Sequence, residues 1–273
     1  MSVADYGSVA GRSLESLKAS GRVLGALLLR EAEVRRGKGI AFGFLAAAVE
    51  PLLIIVAISV LFMALGRGAS YGTSLFVFVG TGVFPVYVFI HTSMRLREPF
   101  ALGLSGRLPV EETLDHVIVH AVLHLFASLL VCVSFFAFLY FVLGIRSAAP
   151  WDFMGAASAL GAIFIFGVAM GIFNSVIARL VPIWDTLWPG IARAAIHFSG
   201  MYFIADFLTP GTRKWFALNP ILHGVTWFRT AFYPTFPAQI NNHAYLLFSS
   251  LVAITLGLTL EYLYHRRLAG SDE

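Results

Sequence analysis

The chain has 273 residues, 58% of them hydrophobic and only 12% charged, against roughly 25% charged in an ordinary soluble domain. With a mean hydropathy of +0.81 and 25 Phe, 9 Tyr and 5 Trp, the composition excludes a water-soluble fold of this size and predicts a polytopic membrane protein. The formal charge of +4 does not point to nucleic acid, because the basic residues flank apolar runs as they do at membrane boundaries, and the single Cys132 excludes a disulfide framework or a CxxC metal or redox site.

Residues 1–39 read as a cytoplasmic and interfacial leader. The opening "MSVADYGSVAGRSLESLKASGR" has no apolar core followed by a cleavage site. Over 13–30, Leu14, Leu17, Leu24, Leu27 and Leu28 fall on one helical arc and Arg12, Glu15, Lys18, Arg22 and Arg30 on the opposite one. That pattern suits an amphipathic helix lying on the membrane, or one packed on a partner protein.

A helix that crosses the hydrocarbon needs about 20 mostly apolar residues. Six stretches qualify: 40–65, 74–92, 117–143, 153–177, 188–208 and 244–264. The fifth contains Arg193, His197 and Asp206. The expected fold is an all-α integral membrane protein with a six-span domain over 40–265 and a short tail at 266–273. An even number of spans puts both termini on one side. That side carries thirteen Lys and Arg against five on the other, so both termini are expected in the cytoplasm.

Within the first span Glu50 is followed by Pro51. A carboxylate at that depth costs a few kcal/mol and normally faces a partner or a wet cavity, while the proline bends the helix. The loop over 95–116, "RLREPFALGLSGRLPVEETLDH", is charged and punctuated by Pro99 and Pro109; its middle suits a short helix that docks a soluble partner, or a solvated turn. At its end His116, His120 and His124 recur every four residues and stack on one helix face. Zinc needs three or four ligands and a second shell, and no second HxxxH or ExxH is present. The ladder therefore reads as a set of polar contacts near the interface, and no metal site is expected. Gly39/Gly43 and Gly167/Gly171 match the spacing that lets helices approach closely.

The stretch 209–242 is too long and apolar for a plain loop, and "WFALNPILHGVTWFRTAFYP" is rich in aromatic rings that favour the membrane interface. It is expected to form a re-entrant hairpin on the outer side, shielded by protein or facing water. There is no GxSxG elbow and no Walker A motif. If transport here is driven by ATP, another chain supplies the ATPase.

These residues together resemble the membrane subunit of ABC-2 type polysaccharide exporters, most closely the capsule-exporting (Kps-type) permeases of Gram-negative bacteria. The resemblance is carried by four blocks in order. "LLLREAEVRRGKGIAFGFLAAAVEPLL" supplies Arg30, Glu31, Arg35, Glu50 and Pro51, and "VFVGTGVFPVYVF" supplies Gly80, Gly82 and Pro85. "GRLPVEETLDHVIVHAVLH" supplies Arg107, Pro109, Val110 and Asp115, and "LNPILHGVTWFRTAFYP" supplies Asn219, Pro220 and Arg229. The chain departs from the family at 46–48, where "AAA" replaces an aromatic Trp, and at His120 and His124, where an Arg and then an acid usually open span three.

The resemblance implies an ABC-2 type V exporter-like fold and a dimer around a central path for lipid-linked polysaccharide. Two copies of a nucleotide-binding ATPase subunit would bind below, holding ATP and Mg while this chain carries no cofactor and no catalytic residue. It implies a coupling element at Arg95, Arg97, Glu98, Phe100, Leu102, Arg107 and Pro109, and a lateral inlet at Arg30, Glu31, Arg35, Arg36, Glu50 and Pro51. A periplasmic gate would form at Trp215, Asn219, Pro220, Trp227 and Arg229. Further implied partners are a periplasmic polysaccharide co-polymerase and an outer-membrane export protein, with the chain in the bacterial inner membrane. The competing readings are an ABC-2 permease for O-antigen, another lipid or a drug, and a membrane metalloenzyme built on the His ladder.

Overall fold

The computed structural model describes residues 40–96 and 110–269, with side chains described for 48–94, 96 and 121–263. The leader, the middle of the 95–116 loop and the last four residues lie outside the described residues. So do Arg30, Glu31, Arg35, Arg36, Arg97, Glu98, Phe100, Leu102, Arg107 and Pro109.

The described chain is helical, with no strand. Helix α1 runs Ile40–Ala64, α2 Leu75–Arg95, α3 Val110–Phe141 and α4 Phe153–Leu180. Then come α5 (Trp184–His197), α6 (Pro210–Phe216), α7 (Pro220–Phe232) and α8 (His243–Ala269), with short 3₁₀ turns at Arg146–Ala148 and Ala205–Phe207. Segments 75–94, 121–141, 153–180 and 243–263 are each long and apolar enough to cross a membrane. In α1 the described part, 48–64, is apolar, and its 25 residues span about 37 Å at the α-helical rise. The protein is a multi-pass membrane protein.

Helices α2 and α4 hold the centre. Helix α4 packs on α8, α2 and α7, and α2 packs on α4, α7, α1 and α3. A helix that is apolar all round belongs inside a bundle, and α2 buries Val77, Phe78, Val79, Val83, Phe84, Val86, Val88 and Phe89 on successive faces. The α2–α4 contact depends on Gly167 and Gly171. A Cβ at Gly167 would lie 2.9 Å from Thr92 Cβ, and one at Gly171 would lie 2.8 Å from Leu96 Cβ. The GxxxG spacing therefore marks a place where two helices touch without side chains between them.

The ends of the bundle are distinct. At one end the 65–74 loop meets the 209–242 segment, where α6 and α7 follow one another as a helical hairpin, through the Tyr71 hydroxyl, which donates to the Thr235 carbonyl at 2.5 Å. The Asp152 N–H donates to the Ala231 carbonyl at 3.0 Å at the same end. The opposite end holds the end of α2, the start of α3 and the α4/α5 junction.

Three boundaries differ from the sequence reading. Helix α3 starts at Val110, so residues 110–116 of the expected loop are already its first turns. Helix α8 continues to Ala269, into the expected tail. Most important, 188–208 is not one helix: α5 has 14 residues, about 21 Å at the helical rise, against about 30 Å of hydrocarbon. The chain leaves helical geometry at Ser199–Ile204, with Gly200 at φ +75. The reason is that the carbonyls of Gly200, Met201 and Phe203 accept from Arg229, so they point at a side chain on α7 and not along a helix axis.

Candidate functional site

The hairpin end is organised by Arg229. Its side chain is 2% exposed, yet no described carboxylate pairs with it. Nη1 donates to the carbonyls of Gly200 at 2.7 Å and Phe203 at 3.0 Å, and Nη2 to those of Met201 at 2.8 Å and Phe78 at 3.5 Å. The guanidinium also lies 4.2 Å over the Phe78 ring of α2, a favourable place for a desolvated cation. Burial pulls its pKa down to about 9, partly opposed by Tyr233, which leaves it charged near neutrality. Fixed carbonyl dipoles stand in for a counter-ion here, and every acceptor counts because an unpaired buried charge is costly. Gly82 completes the cage, since a Cβ there would lie 2.5 Å from the Met201 carbonyl oxygen and 2.8 Å from Arg229 Nη2.

Asn219 and Pro220 start α7 by local rules. The Asn219 side chain caps the helix by accepting from the Ile221 N–H at 3.1 Å, and Pro220 occupies the first turn, where no amide donor is missed. The Asn219 amide nitrogen also donates to the Ala195 carbonyl at 2.9 Å, so one side chain caps α7 and ties it to the end of α5. Trp227 stacks on His243 with ring centroids 3.8 Å apart. The structure thus brings Asn219, Pro220, Trp227 and Arg229 into one packed unit. Trp215 is not part of it: it stands 76% exposed on α6.

Two residues of this unit were not anticipated. His223 Nε2–H donates to the Ala217 carbonyl at 2.8 Å, and Nδ1 accepts from the Asn242 N–H at 3.1 Å. An imidazole that both donates and accepts is neutral, and burial lowers its pKa accordingly. Asp206 Oδ1 accepts from the Ile240 N–H at 3.1 Å and from Arg213 Nη1 at 3.4 Å. The signal for Asp206 was present, as an acid inside an apolar stretch is held by something.

The opposite end carries a second polar cluster. Glu50 Oε2 lies 3.2 Å from His91 Nε2, the carboxylate 58% and the imidazole 20% exposed. The His91 ring lies 3.9 Å from the Tyr87 ring, tilted by 35°, and parallel to His124 at 5.8 Å. His124 Nδ1 is 3.4 Å from both Thr92 Oγ1 and Ser128 Oγ. The innermost member of the ladder is therefore a polar contact between α2 and α3. His116 and His120 lie on α3, with their side chains outside the described residues, and Arg95 closes α2 in the same way. Among the described residues no group of three His, Cys, Asp or Glu is placed to hold a metal ion. His91 itself was missed, because a lone His at a helix end has no local signature.

Two further contacts fix the helices around this end. Arg179 of α4 pairs with Glu261 of α8, and Trp184 Nε1 donates to Asn174 Oδ1 at 3.1 Å, anchoring the start of α5 on α4.

Comparison with known proteins places this architecture. Residues 24–233 match the ABC-2 type transporter family. The chain is 26% identical over 250 residues to the capsule polysaccharide export inner-membrane protein CtrC of Neisseria meningitidis serogroup B, covering 90% of this chain and 92% of that one. It is 25% identical over 247 residues to the capsule polysaccharide export inner-membrane protein BexB of Haemophilus influenzae, with the same coverage of 90% and 92%. The family match takes in α1 to α7, including the Glu50–His91 cluster and the Arg229 cage, and the chain belongs to the ABC-2 type transporter family.

Proposed function

We propose that this chain is the inner-membrane permease of an ATP-driven exporter that moves lipid-linked capsular polysaccharide out of the bacterial cytoplasm. The observation that carries the reading is similarity along nearly the whole chain to two capsule polysaccharide export inner-membrane proteins. Two copies enclose the path, and two separate ATPase subunits supply the energy. Both termini face the cytoplasm, which puts the hairpin end in the periplasm.

In this reading each cluster has a task. The stretch with Arg95, Arg97, Glu98, Phe100, Leu102, Arg107 and Pro109 docks the ATPase. Arg30, Glu31, Arg35, Arg36, Glu50 and Pro51 border a lateral inlet for the lipid-linked end of the polymer. Asn219, Pro220, Trp227 and Arg229 hold the periplasmic gate, with Trp215 exposed at its rim. The Arg229 cage supports this assignment, because a hairpin fastened to α2 and to the α5 turn by one side chain closes that end with a single set of bonds. A periplasmic co-polymerase and an outer-membrane export protein would take the polymer onward.

The test is complementation. In a capsule-producing strain lacking its own permease, the chain and its ATPase are expected to restore surface polysaccharide. Detergent-purified complex is expected to contain two of each subunit and to hydrolyse ATP faster with the strain's glycolipid. A chain that purifies without the ATPase and restores no surface polymer would end the exporter reading.

A further inference from the structure

Helix α5 presents two unlike sides. Trp188 and Ala192 are its buried residues, facing the bundle. A stripe of Thr186, Gly190, Arg193 and His197 is exposed, and its spacing of four, three and four puts these residues on one face. The neighbouring face is apolar and equally open, with Ile183, Leu187 and Ile191.

The depth of Arg193 is what makes the stripe informative. Helix α5 begins beside Asn174 near the end of α4 and reaches, at Ala195, the carbonyl bonded to the base of the hairpin. Arg193 is nine residues into that course, about 13 Å along the axis. An arginine at such a depth does not face lipid; it faces water or an anion.

No described carboxylate answers it. Glu50 is with His91, Asp206 with Arg213 and Glu261 with Arg179. Asp152 accepts from the Gly155 N–H at the start of α4, and Asp185 is itself partnered. At the hairpin end Arg67, Arg146 and Lys214 are likewise exposed and outside the described ion pairs. The described acids are engaged while four exposed cations are not, one of them at mid-depth. This imbalance suits a cargo that brings its own negative charge.

We infer that the Thr186–His197 stripe of α5 lines the transport path and that Arg193 is its anion-holding point, taking carboxylate or phosphate groups of an acidic polysaccharide one after another. The inference rests on the exporter reading. Arg193 serves this role because its planar fork pairs with a carboxylate or phosphate in two bonds. One such point, exposed to water, holds each group weakly enough to let it pass.

Two measurements test it together. In the complementation strain, Arg193→Gln is expected to lower surface polysaccharide about tenfold, the effect of one lost charge-assisted bond. Its membrane level and co-purification with the ATPase should be unchanged, and Arg193→Lys should restore part of the export. On nanodisc-embedded complex, a fluorescent galacturonic-acid octamer should bind about tenfold more weakly to Arg193→Gln than to wild type, while a maltooctaose probe should not distinguish them. Wild-type export with an equally active Arg193→Gln would overturn this inference and leave the exporter reading standing. Loss of dimer in Arg193→Gln would assign Arg193 to pairing between copies and overturn it too. Failure of the wild-type chain to export would sink the exporter reading itself.

Discussion

Replacing Arg229 by Met keeps an unbranched stem, shortens the side chain and removes every donor. In the native fold the carbonyls of Gly200, Met201 and Phe203 accept from the guanidinium at 2.7, 2.8 and 3.0 Å, and that of Phe78, which keeps a bond from Thr81 Oγ1, at 3.5 Å. A buried acceptor left bare costs about 1–3 kcal/mol, and three are left at once. Against this the fold no longer has to desolvate a cation, a saving of several kcal/mol. Three bare acceptors cost about 3–9 kcal/mol together and the saving offsets part of that, so the net expectation is a loss of about 2–4 kcal/mol. At about 2–4 °C per kcal/mol for a chain of this size, the melting point falls by roughly 10 °C. Thermal unfolding in detergent, followed by size-exclusion fluorescence, measures it. Arg229→Lys should recover part of the loss, because an ammonium has three donors but not the planar fork. If Arg229→Met melts within about 2 °C of wild type, or above it, the carbonyl cage does not hold the hairpin.

Three other expectations follow from the same geometry. Gly82→Ala pushes a methyl into the Met201 carbonyl and the guanidinium, at a cost of about 1–3 kcal/mol; unchanged thermal stability would show that the cage gives way easily. His223 is held neutral, below its ordinary 6.5, so its contribution is present above about pH 6.5 and is lost as pH falls through the lowered native value. Melting points taken between pH 8 and 5 should therefore drop less steeply in His223→Gln, which keeps a donor and an acceptor, and an identical slope would remove His223 from the account. The Glu50–His91 pair has a carboxylate 58% exposed, so a Glu50→Gln/His91→Gln double-mutant cycle should give a coupling under about 1 kcal/mol. A coupling several times larger would mean that the pair is shielded from water in the working protein.

Apolar length was enough to find α2, α3, α4 and α8, because crossing a bilayer imposes a minimum run that few soluble helices match. It failed for 188–208 for an identifiable reason. The composition there suits a span, but the backbone at 200–203 serves as a ligand for a side chain 26–29 residues later. A long-range contact of that kind leaves no period in the sequence. Beside Arg193 and His197, the local hints were Gly200, which allows the positive φ, and Asp206, which needs partners and finds them in Arg213 and the Ile240 N–H.

The site divides along the same line. Asn219 and Pro220 were reached through the family resemblance, although the cap they form is a local matter of side chain and adjacent amides. Arg229 was likewise reached through the resemblance, and its acceptors are carbonyls, which every residue has. His124 was visible in the ladder, while its neighbours His91 and Thr92 come from another helix. The choice of carbonyls over a carboxylate for Arg229 also has a mechanical consequence. A carboxylate partner would keep the charge paired through many backbone arrangements. The three short bonds go to carbonyls on one turn and the fourth, to Phe78 on α2, is long at 3.5 Å, so the charge stays well paired only while that turn holds its shape. The turn follows α5 directly, and Asn219 fastens the end of α5 to the start of α7. The hairpin, the 198–204 turn and α5 therefore stand or fall as one unit, and a displacement of α5 cannot leave Arg229 satisfied in place.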